Sequence, residues 1–151
     1  MESKEDCAAV WGRMKRMRQI QIWKLCKGMT KAETELLHVM CHLSEKNPDI
    51  PVSKLPRICH MQTSAISRLM KKMEADGLIV RKIDPDCRRN MLVSVTEMGK
   101  EQCRRNWEEV QDFWERVLAR TPKEHIDQML CFWDEIMDNM ENVIAELSQE
   151  K

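Results

Sequence analysis

Tyrosine is absent from this chain, and glycine occurs only four times and proline five times in 151 residues. So few turn formers exclude a strand-rich sandwich or barrel, and a hydrophobic content of 42% excludes a disordered chain. What remains is a mostly α protein of one ordinary domain spanning residues 1–151. Long apolar runs are also missing: none approaches the roughly 20 residues of a membrane span. The amino terminus, MESKEDC, is charged where a secretory signal turns apolar, so a cytoplasmic protein with no membrane partner is expected. CxxC pairs are missing, and the seven cysteines are odd in number and irregularly spaced, which fits free thiols better than a disulfide scaffold. GxSxG, P-loop and HExxH motifs are missing too, so neither an enzyme nor a cofactor is expected.

Net charge is the last absence, and it conceals a division along the chain. Residues 51–95 hold nine Lys or Arg against four acids, a balance of +5. Residues 96–151 hold seven against fourteen, a balance of −7, and the first fifty residues supply the remaining +2. Salt screens distant charge over about 10 Å, so the basic block can attract phosphate despite the neutral total.

Cys7, Val10, Trp11, Met14 and Met17 recur at helical steps, predicting a helix from about residue 5 to 27 that Gly28 stops. Thr30 and Glu33 form a capping box for a second helix bearing Leu36, Leu37, Met40 and Leu43. Ser53 is expected to cap a short helix with Pro56 in its first turn. After a turn at Cys59–Met61, QTSAISRLMKKMEADG aligns Ile66, Leu69, Met70 and Met73 on one stripe and ends at Gly77. Two short helices about a tight turn make a helix-turn-helix candidate. LIVRKI and MLVSV, joined by DPDCRRN, predict a hairpin. Two long helices follow, the first starting at Thr96. A second capping box at Thr121 and Glu124, with Pro122 between them, marks their corner.

The segment KLPRICHMQTSAISRLMKKMEADGLIVRKIDPDCRRNMLVSVTEMGKE resembles the MarR family of bacterial transcription regulators. The ISRLMKKMEADGLIVR join and the DPDCRRNMLVSVTEMG wing carry the resemblance most specifically. It implies a winged helix-turn-helix lobe over 30–95, with dimerisation helices over 5–28 and 96–148. It also implies a homodimeric repressor or activator that reads pseudopalindromic double-stranded DNA, with one helix in the major groove and the wing in the minor groove.

Gln62, Thr63, Ser64, Ala65, Ser67 and Arg68 are the short or polar residues that a major-groove helix needs at its amino end. Lys71, Lys72 and Arg57 suit phosphate contacts or a solvated helix face. Arg88 and Arg89 at the wing tip suit a narrow minor groove, and Arg89 aligns with the arginine the family uses there. Cys87 stands where the family commonly carries Asp, which leaves either Asp86 to orient the wing or a less rigid wing.

The outer helices carry apolar faces too large for a winged helix to cover, so Trp114, Phe132, Trp133, Ile136 and Met140 are expected at a dimer interface. Family members often respond to small aromatic ligands, and the corresponding cleft here would draw on Trp11, Met14, His38, Cys41, His42 and Trp107, residues that equally suit ordinary core. His38, Cys41 and His42 share one helix face and form a weak metal candidate that lacks an identified fourth ligand. Cys7 and Cys87 are candidate redox thiols, although the peroxide-sensing branch of the family surrounds its cysteine with tyrosines. A metal- or thiol-responsive regulator, or a winged-helix protein-interaction module without specific DNA binding, is the alternative reading.

Overall fold

The computed structural model describes residues 2–149, with helices α1 (Glu2–Gln19), α2 (Lys31–Ser44), α3 (Leu55–Ile58), α4 (Thr63–Ala75), α5 (Glu97–Leu118) and α6 (Lys123–Gln149). Short strands β1 (Ile50–Pro51), β2 (Ile79–Ile83) and β3 (Met91–Val95) form one antiparallel sheet in the order β1-β3-β2. Contacts divide the chain into two compact units, one up to Val110 and one from Gln111.

The first unit holds the core. Leu36, Leu37 and Met40 of α2, Leu55 of α3, Ile66, Met70 and Met73 of α4, and Ile79 and Val93 of the sheet are fully buried. Their spacing of three and four on the helices, and one buried position in each of β2 and β3, generate this convergence. The Thr30 capping box forms as the sequence predicts: the Glu33 N–H donates to Thr30 Oγ1 at 3.4 Å, and the Thr30 N–H donates to Glu33 Oε2 at 2.7 Å.

Three local expectations are corrected. α1 ends at Gln19 rather than near residue 27, and a 3-10 turn at Ile22–Leu25 follows it. The β-branched Ile20 and Ile22 weaken helix there, while Cys26 is drawn into a buried contact, its thiol facing the Asn106 carbonyl at 3.8 Å. Ser53 caps nothing, because Val52–Lys54 is itself a 3-10 turn and Lys54 occupies the cap of α3. The Thr121 hydroxyl donates back to the Val117 carbonyl at 3.1 Å, closing α5 instead of opening α6.

β1 falls within a Pro-Asp-Ile-Pro stretch that has no strand signature. Ile50 pairs with Val93 and Pro51 with Leu92. Asp49 fastens this edge, accepting from Lys82 Nζ and from the Ser94 hydroxyl, both at 2.7 Å.

The second unit contains the later turns of α5 and all of α6. Phe113 and Trp114 meet edge to face, with centroids 5.6 Å apart. α6 contains no buried residue, although its apolar residues follow helical spacing throughout.

Candidate nucleic-acid interface

Helix α4 presents two faces. Ile66, Met70 and Met73 point into the core, so Gln62, Thr63, Ser64, Ser67, Arg68, Lys71 and Lys72 lie exposed, and Ala65 is half-buried. The turn leading into α4 places His60 at φ 51°, a left-handed conformation in a residue that is not glycine. That strain marks a sharp reversal between α3 and α4, which the sequence alone does not disclose.

The far end of α4 is joined firmly to the wing. Gly77 adopts φ 73° and ends the helix. The Thr96 hydroxyl donates to the Gly77 carbonyl at 2.7 Å and accepts from the Gly99 N–H at 3.0 Å, while the Thr96 N–H donates to the Leu78 carbonyl at 3.0 Å. A Cβ on Gly99 would lie 2.1 Å from the Leu78 carbonyl oxygen, so only glycine fits this crossing of α5 over the α4–β2 junction.

β2 and β3 pair from Ile79↔Val95 to Ile83↔Met91, and residues 84–90 close the hairpin. Asp84, rather than Asp86, orders this turn: its carboxylate accepts from the Asp86 N–H at 2.9 Å, and its own N–H donates to the Asn90 carbonyl at 3.0 Å. A second backbone bond, from the Asn90 N–H to the Cys87 carbonyl at 2.8 Å, leaves Arg88 and Arg89 exposed at the tip.

The cations of the basic block separate into two groups. Lys72 pairs with Glu33 at 2.6 Å, Arg81 with Glu74, and Lys82 with Asp49. These bonds tie α4 to α2, β2 to α4, and the sheet to the β1 edge. Arg57, Arg68, Lys71, Arg88 and Arg89 form no ion pair with the described residues and face solvent. Lys72, a candidate phosphate contact by sequence, is thus also a structural partner. Burial pushes the Glu33 carboxyl up, but the Lys72 ammonium and the Thr30 backbone and hydroxyl outweigh it and hold the group below the usual glutamate range.

The predicted effector residues come together only in part. His38, Cys41, His42 and Trp107 line a cleft of about 450 Å³ between α2 and α5, joined there by Cys103 and Lys100. The His38 and Trp107 rings stack at 5.6 Å and 14°. Trp11 instead borders a shallow depression on α1 with Cys7 and Val10, and Met14 lines neither hollow. The metal candidate is not supported: among the described residues no three His, Cys, Asp or Glu side chains converge on one point. His42 faces Glu45 at 3.6 Å, while His38 packs on Trp107. Cys103, one helical turn before Trp107, is a cleft residue that sequence reasoning missed.

A helix-turn-helix packed against a three-stranded sheet, with an ordered cationic hairpin beside it, defines a winged-helix protein. Residues 34–91 match the family model for the MarR family. It is 25% identical over 123 residues to the HTH-type transcriptional regulator YdgJ of Bacillus subtilis, a match covering 82% of this chain and 73% of YdgJ. The fold is shared with the YusO protein of Bacillus subtilis at a TM-score of 0.71 and 17% identity, covering 91% of this chain and 96% of that one. It is also shared with a variant of MepR from S. aureus bound to an oligodeoxyribonucleotide, at a TM-score of 0.62 and 11% identity, covering 88% and 96%. No described helix is long and apolar enough to cross a membrane.

Proposed function

We propose that the chain is a homodimeric cytoplasmic regulator that binds pseudopalindromic duplex DNA, with α4 in the major groove and the β2–β3 wing in the minor groove. The observation that carries this reading is the division of cations on the winged lobe. Those that build the lobe are paired with acids, while Arg57, Arg68, Lys71, Arg88 and Arg89 are left facing solvent around the polar Gln62–Ser67 surface. Unpaired cations around short polar side chains suit phosphate positioning combined with base-edge readout. The oligonucleotide bound by the structurally similar MepR variant supports DNA as the partner by analogy.

Dimerisation follows from α6, where Phe132, Trp133, Ile136 and Met140 are all exposed. An apolar stripe of this size calls for a partner, and a second copy related by a two-fold axis would set two recognition helices one DNA turn apart. The His38–Trp107 cleft is the place where a small planar aromatic ligand would alter the regulator.

The test is selection of bound sites from random duplex DNA, followed by titration across salt concentrations. Affinity is expected to fall steeply with salt, and Arg89→Ala to weaken binding by about tenfold while lowering the log–log salt slope by roughly 1. Salt-insensitive binding, or none, would favour a protein-interaction module.

A further inference from the structure

Lys71 and Lys72 are neighbours on α4 with the same charge and the same reach, yet the lobe treats them differently. Lys71 forms no ion pair with the described residues and stands in solvent. Lys72 reaches back to α2, where its ammonium lies 2.6 Å from Oε1 of Glu33. Half of the Lys72 side chain is exposed, but only 4% of the Glu33 side chain is.

We propose that Glu33 and Lys72 are positioning residues for DNA binding: the buried carboxylate fixes the rotation of α4 through Lys72, and Lys72 makes no phosphate contact. The role in binding rests on the reading of α4 as a DNA-binding helix, whereas the lock itself is a property of the free protein.

Glu33 serves two elements at once. Its Oε2 accepts from the Thr30 N–H at 2.7 Å, so the carboxylate is anchored by the cap of its own helix, and its Oε1 is left for Lys72. The cap is itself braced, since Thr30 Oγ1 accepts from the Glu33 N–H at 3.4 Å and the Thr30 carbonyl accepts from the Thr34 hydroxyl at 3.1 Å. A carboxylate held this way cannot follow a moving lysine.

Lys72 cannot leave either. A buried carboxylate needs a counter-charge, and among the described residues Lys72 is the one cation within ion-pair distance of Glu33. Moving its ammonium to a solvated phosphate would strand that charge inside the lobe. The other acid facing Lys72 is Asp76, at the end of the same helix, and Glu33 first and Asp76 after it favour the charged ammonium.

Packing and pairing divide the work of placing α4. Ile66, Met70 and Met73 press it against Leu36, Leu37 and Met40 of α2, but apolar burial is non-directional and tolerates rotation. An ion pair to an anchored carboxylate does not, so the pair decides which of the Gln62–Arg68 side chains face outward.

Positioning and phosphate binding predict opposite signs for one substitution. Glu33→Gln leaves Lys72 charged and unpaired, so a phosphate contact there would strengthen, and both affinity and salt slope would rise. A positioning pair would instead lose its hold. If α4 is then correctly placed in about a tenth of the molecules, affinity falls about tenfold, and the slope is unchanged because no phosphate partner is lost.

The experiment titrates full-length protein, at several salt concentrations, against a fluorescein-labelled duplex, the tightest recovered by selection from random sequence. Glu33→Gln and Lys72→Met should each weaken binding about tenfold at constant log–log slope, and Lys72→Arg should recover most of the loss. Lys71→Met should lower the slope by roughly 1. Glu33→Gln strands no charge and keeps the test decisive if Lys72→Met fails to fold. In the free protein, hydrogen exchange of the α4 amides should rise about tenfold in Glu33→Gln, and more than that of the β2–β3 amides. Tighter binding by Glu33→Gln, or a slope lowered by roughly 1 in Lys72→Met, would overturn the assignment. Unaltered α4 exchange would overturn it as well, and this readout stands even if the wild-type chain binds no duplex, a result that would defeat the DNA reading by itself.

Discussion

The winged lobe and helix α6 are both rich in hydrophobic residues, yet they use them in opposite ways. In the lobe, side chains from α2, α3, α4 and the sheet close on one another until Leu36, Leu37, Met40, Leu55 and Val93 are wholly shielded. In α6 none is shielded, and Phe132 remains 60% exposed. Charge runs the other way. On α5 and α6 the bases are largely spoken for by acids one turn away, as in Arg105–Glu101, Arg116–Asp112 and Lys123–Asp127. On the lobe several are left open. One region is therefore closed in its core and open in its charge, and the other is balanced in charge and open in its apolar face. On the proposed function, each region lacks the kind of partner that its residues cannot supply to themselves.

The sharpest way to break this contrast is to charge the α6 stripe. Ile136→Asp should convert a dimer to a monomer in sedimentation analysis and remove cooperative binding to a two-half-site duplex. The lobe should keep its fold, because none of its core lies on α6. An unchanged sedimentation coefficient would show that the stripe is covered in some other way.

A smaller effect is expected at the wing root. Gly99→Ala places a methyl group against the Leu78 carbonyl, and thermal melting should register a loss of roughly 1–3 kcal/mol. Glu33→Gln should cost less in the mid-pH range, about 0.5–1.5 kcal/mol if the amide keeps one of the bonds to Thr30 and Lys72.

The Glu33 effect has a defined pH sign. Since the folded protein holds its carboxyl below the ordinary value of 4.5, its stabilisation is present above that value and disappears as pH falls through the lower folded value. Urea midpoints measured from neutral pH downward should therefore converge for the two proteins in acid. Arg105→Ala, which removes an exposed pair, should shift stability by less than about 1 kcal/mol.

Much of this contrast is legible in the residues alone. The T-x-x-E box at Thr30, the glycine stop at 77 and the stripe of Ile66, Met70 and Met73 act through local geometry, so sequence spacing is sufficient to place them. β1 was not legible, because Ile50 and Pro51 form a strand only by docking on β3, and Asp49 acquires its role from Lys82 and Ser94, distant in sequence. The Thr121 box failed for a related reason: its hydroxyl had two possible carbonyl or amide partners within a turn, and the preceding helix won. Of the effector residues, His38, Cys41, His42 and Trp107 gathered as their helix faces require, and Trp11 borders a separate depression on α1. Cys103 emerges only when α5 is laid beside α2.

The crossing at Gly99 has a mechanical consequence. The first turn of α5 grips Gly77 and Leu78, the link between the recognition helix and the wing, through hydrogen bonds and a contact too tight for any side chain. A rotation of α5 about its axis cannot be absorbed there as slack. It must reach the end of α4 and the base of β2 and β3 together, so that α4 and the wing would be steered as one body, like two blades fixed to a single shaft.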